Sequence, residues 1–323
     1  MRICTLEIVK AIALLLVGFV FLLKGADFFV DGSSSVAKKL KVPSLIIGLT
    51  IVAMGTSLPE LSVSITASLA NSNALAVSNV IGSNIFNLMV VLGASALMAV
   101  VEVSEDVIRK DFPFSVACAV LLLVLGYIGM ELGRVDGAIF LVIFIGFIVY
   151  QVLSALRARK AALSAEDADG DEIKLIPMWL ATIYIVGGAV AVKFGGDWVV
   201  GGAKTVAAAF GLSENLIGLT IVAMGTSLPE LVTSVVAAKK NELDMAVGNV
   251  VGSNIFNILA ILGIASALSP IGFIMENVID ICVLLGFSVL VWIFCAVKKK
   301  LGKSEGAVML LAYAAYAVYI CLR

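Results

Sequence analysis

The chain has 323 residues, 61% hydrophobic and only 14% charged, with a net charge of −1. A soluble domain carries about 45–50% apolar and about 25% charged residues, so a mean hydropathy of +1.13 calls for lipid around most of this chain. The near-neutral balance, without basic clusters interleaved with aromatics, excludes a nucleic-acid partner. Histidine is absent, which removes imidazole catalysis, imidazole metal ligation and a histidine pH switch. The five cysteines lack CxxC or metal-ligand spacing and read as small apolar residues of membrane helices. No resident cofactor and no enzymatic activity are expected.

A membrane-spanning helix needs ~20 mostly apolar residues. Ten segments qualify: 6–30, 44–70, 75–100, 112–130, 135–156, 176–200, 214–238, 244–268, 278–297 and 305–322. The first carries no small-x-small cleavage site and reads as a retained helix, not a signal peptide. Between the fifth and sixth lies the longest polar stretch, Arg157 to Lys174, expected to be a mobile linker in water. The fold class is therefore an all-α integral membrane protein of ten transmembrane helices. Its expected divisions are residues 1–156, a first five-helix repeat; 157–175, a cytoplasmic linker; and 176–323, a second repeat.

The halves share sequence. Gly48–Leu61 reads GLTIVAMGTSLPEL, and Gly218–Leu231 repeats all fourteen residues at an offset of 170. At the same offset GSNIFN recurs at Gly82–Asn87 and Gly252–Asn257. The chain is an internal duplication. Ten spans place fifteen Lys and Arg residues on one side of the membrane and five on the other. The positive-inside rule then makes the first side cytoplasmic and puts both termini outside. The expected location is the plasma (inner) membrane. Five helices per half is an odd number, so the second repeat enters from the opposite face: the repeats are inverted, as in alternating-access transporters.

Chemistry concentrates where the duplication is strictest. In Ala53-Met54-Gly55-Thr56-Ser57-Leu58-Pro59-Glu60, glycine loosens a helix and proline removes a backbone donor. Carbonyls near Ala53 and Gly55 are expected to lose helical partners, and such groups must be buried in protein or coordinate something. Thr56 and Ser57 lie four and three residues before Glu60, which stacks their oxygens on one helix face. Ala223, Gly225, Thr226, Ser227, Pro229 and Glu230 repeat the pattern. Ser83 and Asn87, and Ser253 and Asn257, are also four apart. Projected inward, these residues form a cage of two carboxylates, two amides, hydroxyls and carbonyls. An all-oxygen set suits hard cations such as Ca²⁺ and Na⁺, rather than Zn²⁺ or copper. Two carboxylates match one Ca²⁺, and once it leaves they are like charges in a poorly hydrated site. Several Na⁺, or protons, must then replace it, which favours exchange over uniport.

The bland alternatives differ in weight. A glycine–proline kink alone is usually just a kink, and serine or threonine often bonds back to its own helix. An ionisable residue at membrane depth is by default functional, and duplication of the set strengthens that reading. Ser83 and Ser253 are read as ligands over packing residues, and Asn87 and Asn257 as functional over interhelical glue. Asn79 and Asn249 are read as glue or support. Asp27 and Asp197, near Lys24 and Lys193, are read as local ion pairs at the membrane interface.

The doubled pair GTSLPE…GSNIFN resembles the α-repeats of the calcium/cation antiporter superfamily, within it the prokaryotic sodium/calcium exchanger branch. The likeness spans nearly the whole chain. It implies that helices 2, 3, 7 and 8 surround the ions while helices 1 and 6 slide across them. It implies that Glu60 and Glu230 bind Ca²⁺ and Na⁺ in turn. Thr56, Ser57, Thr226, Ser227, Ser83 and Ser253 would supply Na⁺ ligands, and Ala53 and Ala223 backbone oxygens. Asn87 and Asn257 match the polar partners beside the glutamates. GTSLPE in both halves, in place of the GNxxE-type motif of Ca²⁺/H⁺ relatives, favours Na⁺. Asn257, where K⁺-dependent relatives carry aspartate, speaks against K⁺. The expectation is Ca²⁺ exchanged for Na⁺ by a monomer in the bilayer, with Ca²⁺/H⁺ antiport and a cation channel as alternatives.

Overall fold

A computed structural model describes residues 5–69, 73–164, 176–210 and 223–322. The long apolar runs form helices, which satisfy every backbone polar group within the segment that crosses the bilayer. α1 is Thr5–Leu40; a bent pair follows, α2 (Ser44–Thr56) and α3 (Leu58–Leu69). α4 runs from Asn73 to Met98 through a π-helical turn at Asn87–Val91. α5 (Phe112–Tyr127) is entered through another π turn, Val107–Asp111, and α6 is Arg134–Ser164. The second half holds α7 (Met178–Ala209), the short turn Ala223–Gly225 and α8 (Leu228–Lys239). α9 runs from Leu243 to Leu268 through a π turn at Asn257–Leu262; α10 is Met275–Lys298 and α11 Lys303–Leu322.

Among the described residues, seven helices are long and apolar enough to cross a membrane, and the bent pair α2–α3 counts as an eighth. Of the other two expected spans, residues 112–130 fold as the 16-residue helix α5 behind its π turn. The span 214–238 begins outside the described residues. α6 continues past the expected end at 156 to Ser164, so Arg157, Arg159 and Lys160 are helical. The rest of the expected linker, 165–175, lies outside the described residues.

Burial separates centre from periphery. The apolar windows of α4 and α9 are 78% and 89% buried, against 22% for both α1 and α7. α4 and α9 are thus the core, whereas α1 and α7 lie across it as an outer pair. These two run antiparallel and touch backbone to backbone: a Cβ on Gly195 would lie 2.6 Å from the Leu22 nitrogen, and one on Gly25 2.8 Å from the Val192 nitrogen. Only glycine permits that approach, a familiar device where helices meet in lipid.

Two short ladders tie the halves together. Val101–Glu102 (β1) pairs antiparallel with Lys300–Leu301 (β4), and Glu131–Leu132 (β2) with Ile271–Gly272 (β3). Each half contributes one strand to each ladder.

Candidate functional site

The helix break between α2 and α3 falls at Ser57, whose φ of −83° and ψ of 12° lie in the sparsely used bridge region. The corresponding break before α8 falls at Ser227, with φ −93° and ψ 9°. α2 and α3 meet at 49°. Pro59 and Pro229 occupy the first turns of α3 and α8, where a missing N–H costs least. Glu60 and Glu230 follow one residue later, in the first turn, where the helix dipole favours negative charge.

The two motifs interlock. Ser57 donates its hydroxyl to Glu230 Oε1 at 2.7 Å, and Ser227 donates to Glu60 Oε1 at 3.0 Å. The serine beside each glutamate thus serves the glutamate of the other half. Both carboxylates are fully buried, and among the described residues no Lys or Arg forms an ion pair with either. The second oxygen of each, Oε2, is buried without a hydrogen-bond partner. A buried carboxylate left this way costs several kcal/mol unless a cation or a proton joins it.

Around this pair the predicted residues converge. Ser83 lies 3.5 Å from Glu60 Oε1, and Ser253 lies 3.5 Å from the Ala53 carbonyl. Asn87 and Asn257 are fully buried at the starts of the two π turns. Neither polar atom of the Asn87 side chain has a partner; Asn257 donates to Asn84 Oδ1 at 3.0 Å and keeps its own Oδ1 unpaired. Thr226 Oγ1 is likewise buried without a partner. Ala223 opens the turn Ala223–Gly225 at the position equivalent to Ala53.

One expectation needs correction. Ala53 O is not freed from its helix: it accepts the Ser57 N–H at 3.1 Å. Proline at 59 removes the donor that the Gly55 carbonyl would take, so the freed carbonyl lies two residues beyond Ala53. Thr56 also turns inward on its own helix, 3.1 Å from the Val52 carbonyl and 3.3 Å from that of Ala53.

Several participants escaped the sequence reading. Asn84 and Asn254 form a reciprocal brace between α4 and α9, each amide donating to the other's backbone carbonyl at 3.2 Å. Their signal was present, since both are the third residue of GSNIFN. Ser234 accepts from Asn249 at 2.9 Å, and Ser64 accepts from Asn79 at 3.2 Å. Each serine stands four residues after its glutamate, one turn further along the same face. Asn249 also lies 3.1 Å from the Thr56 hydroxyl, so it supports the site from behind.

The two sides of the site are not equally sealed. Thr56 and Asn249 are fully buried, whereas Thr226 and Asn79 are half-buried. A cavity of about 620 Å³ reaches Thr226 between α3 and α7, with Thr66, Lys193, Asp197 and Lys204 on its walls. The local pair Lys193–Asp197 forms at 2.7 Å and lies in that cavity. Asp27, by contrast, reaches beyond its own helix: Lys24 is 3.9 Å away, but Lys240 is closer at 3.4 Å.

A helical membrane bundle with two buried, uncompensated carboxylates, approached from one side by an open cavity, has the build of a cation transporter. The sequence model of the family described as sodium/calcium exchanger protein matches residues 10–153 and again 180–322, and the chain belongs to that family. It is similar to MaX1, a sodium/calcium exchanger of Methanosarcina acetivorans, with 32% identity over 95% of this chain and 97% of the relative. CaxA of Alkalimonas amylolytica, an antiporter by name only, is 43% identical over 79% of this chain and 80% of its own. Among solved structures, the sodium-calcium exchanger NCX_Mj superposes with a TM-score of 0.82 at 30% identity, over 95% of this chain and 97% of that one. The relatives named here as exchangers are transporters, not enzymes, and the chain is a multi-pass membrane antiporter of cations.

Proposed function

We propose that this antiporter moves Ca²⁺ against Na⁺ through one central site, using Glu60 and Glu230 as shared ligands. The observation that carries the reading is the interlocked pair: two buried carboxylates, each with an unpaired oxygen, held by each other's serine. One Ca²⁺ neutralises both. Ser57, Ser227, Thr56, Thr226, Ser83 and Ser253 supply neutral oxygens for Na⁺, with the carbonyls of Ala53 and Ala223. Asn87 and Asn257 complete the polar lining. Neither ion can leave without replacement, because the emptied pair is two like charges away from water.

The architecture that serves this cycle is ten spans in two inverted five-helix repeats, 1–156 and 176–323, joined by a cytoplasmic linker at 157–175. The antiparallel α1–α7 pair, the reciprocal Asn84–Asn254 brace and the exchanged strands all support such a relation between halves. The lysine-rich side faces the cytoplasm of a plasma membrane, with both termini outside. The cavity at Thr226 then opens outward, since Lys204 belongs to the lysine-poor side. A single chain holds the whole site, so a monomer suffices.

The test is Ca²⁺ flux in vesicles containing the purified protein, with Na⁺, K⁺ and pH gradients imposed separately. Uptake driven by Na⁺ and indifferent to K⁺ is expected. Flux that follows the pH gradient and ignores Na⁺ would replace Na⁺ with H⁺ as the coupling ion, and unitary currents would make the protein a channel.

A further inference from the structure

The α1–α7 pair has two ends, and among the described residues only one of them is tied to the core by charge. Near the C-terminal end of α1, Lys240 Nζ lies 2.8 Å from Asp31 Oδ1, 3.0 Å from the Asp27 carbonyl and 3.4 Å from Asp27 Oδ1. Two residues on, Glu242 Oε1 takes Lys38 Nζ at 2.9 Å and also the Ser34 hydroxyl. Lys240 and Glu242 sit in the tight link between α8 and α9, itself fixed by Lys240 N to Val236 O at 3.0 Å and Glu242 N to Ala237 O at 2.9 Å. A rigid connector of the core thus grips two successive turns of the outer pair.

The other end has no equivalent. The positions 170 residues earlier than Lys240 and Glu242 are Ala70 and Ser72, which carry no charge, and the counterpart of Asp31 is Gly201. Among the described residues, the one ion pair made by α7 is internal, Lys193 to Asp197. The 620 Å³ cavity lies at this untied end, with Gly201 and Lys204 on its wall. The duplication therefore preserved the site and not the fastening.

We propose that Lys240 and Glu242 form a one-sided ionic latch that holds the site closed at the Asp31–Lys38 end, biasing the resting protein toward the state open at Thr226. This rests on the alternating-access reading above. The pairs are half-exposed, so each contributes little alone and the bias is a matter of population rather than a lock. A modest bias still sets the apparent ion affinity of the two faces in opposite directions, because binding competence scales with the population of the state that is open.

The experiment uses the full chain in proteoliposomes, cysteine-free except for Thr66→Cys in the open cavity, labelled from that face by a membrane-impermeant maleimide. Lys240→Gln and Asp31→Asn should each slow labelling by up to about fivefold, the scale of one or two half-exposed ion pairs. They should also lower the half-saturating Ca²⁺ on the latched face relative to the open one. Lys240→Arg should behave as the parent, and the neighbouring Lys239→Gln should change neither readout. Raising choline chloride should slow labelling of the parent protein by screening the latch. The proposal is overturned if Lys240→Gln and Asp31→Asn both match Lys239→Gln. If neither variant inserts, a labelling rate indifferent to choline chloride overturns it instead. Loss of Ca²⁺ exchange in the parent would instead overturn the functional reading beneath it.

Discussion

The two copies of GTSLPE are identical in sequence and differ in their surroundings. The first packs Thr56 against Asn249 behind a closed wall, and the second presents Thr226 to a cavity. Identical residues in unequal settings mean that the local motif specifies the side chains of the site, while the flanking helices decide which side reaches water. On the alternating-access cycle proposed above, the difference belongs to one moment of that cycle and not to a division of labour between the glutamates.

If that is so, function should treat the glutamates alike. Glu60→Gln and Glu230→Gln are each expected to lower Ca²⁺ flux by about 100-fold or more, since hard-cation affinity follows ligand charge. Near-normal flux in either variant would break the equivalence and the assigned site together. The outer pair offers a second comparison, read by thermal unfolding in detergent. Gly195→Ala forces a methyl to within 2.6 Å of the Leu22 nitrogen and should cost about 1–3 kcal/mol. Gly187→Ala meets nothing within 4 Å and should be neutral or stabilising by up to about 1 kcal/mol. The smallest expected contrast lies behind the site. Asn249→Leu strands partners at Thr56 and Ser234, at a cost of about 1–3 kcal/mol. The half-buried Asn79→Leu loses one bond to Ser64 and should cost less. Equal losses would mean that the closed and open sides are not distinguished by packing.

The parts of this molecule that were legible in advance are those that chemistry and duplication both constrain. The doubled Glu60 and Glu230, the break at each proline and the helical membrane class followed from composition and repeated residues. Only the freedom of the Ala53 carbonyl was misjudged: a proline frees the carbonyl four residues before it, which is that of Gly55, the other one named, while Ala53 O keeps the Ser57 N–H. The brace from Asn84 to Asn254 was passed over because an asparagine beside a candidate serine looks like ordinary interhelical glue until its partner is seen. The end of α6 was set too early because Arg157, Arg159 and Lys160 break the hydropathy pattern without breaking the helix. Lys240 could not be paired with Asp27 and Asp31 across more than 200 residues by any local periodicity. Nor does a sequence state which face of the site is open, since both openings belong to the same chain.

The exchange of serines carries a consequence for ancestry and for design. Neither half completes the hydrogen bonding of its own glutamate; Ser57 serves Glu230 and Ser227 serves Glu60. A half-length polypeptide would thus have no finished site by itself. In the inverted arrangement proposed above, two such copies would have to meet facing opposite ways in the membrane, so a gene for one half would need to tolerate both orientations. Fusion relieves that demand: it fixes the ratio of the two orientations at one to one and lets each half acquire its own loop charges. The doubled chain can then be asymmetric at its rim while its centre stays matched.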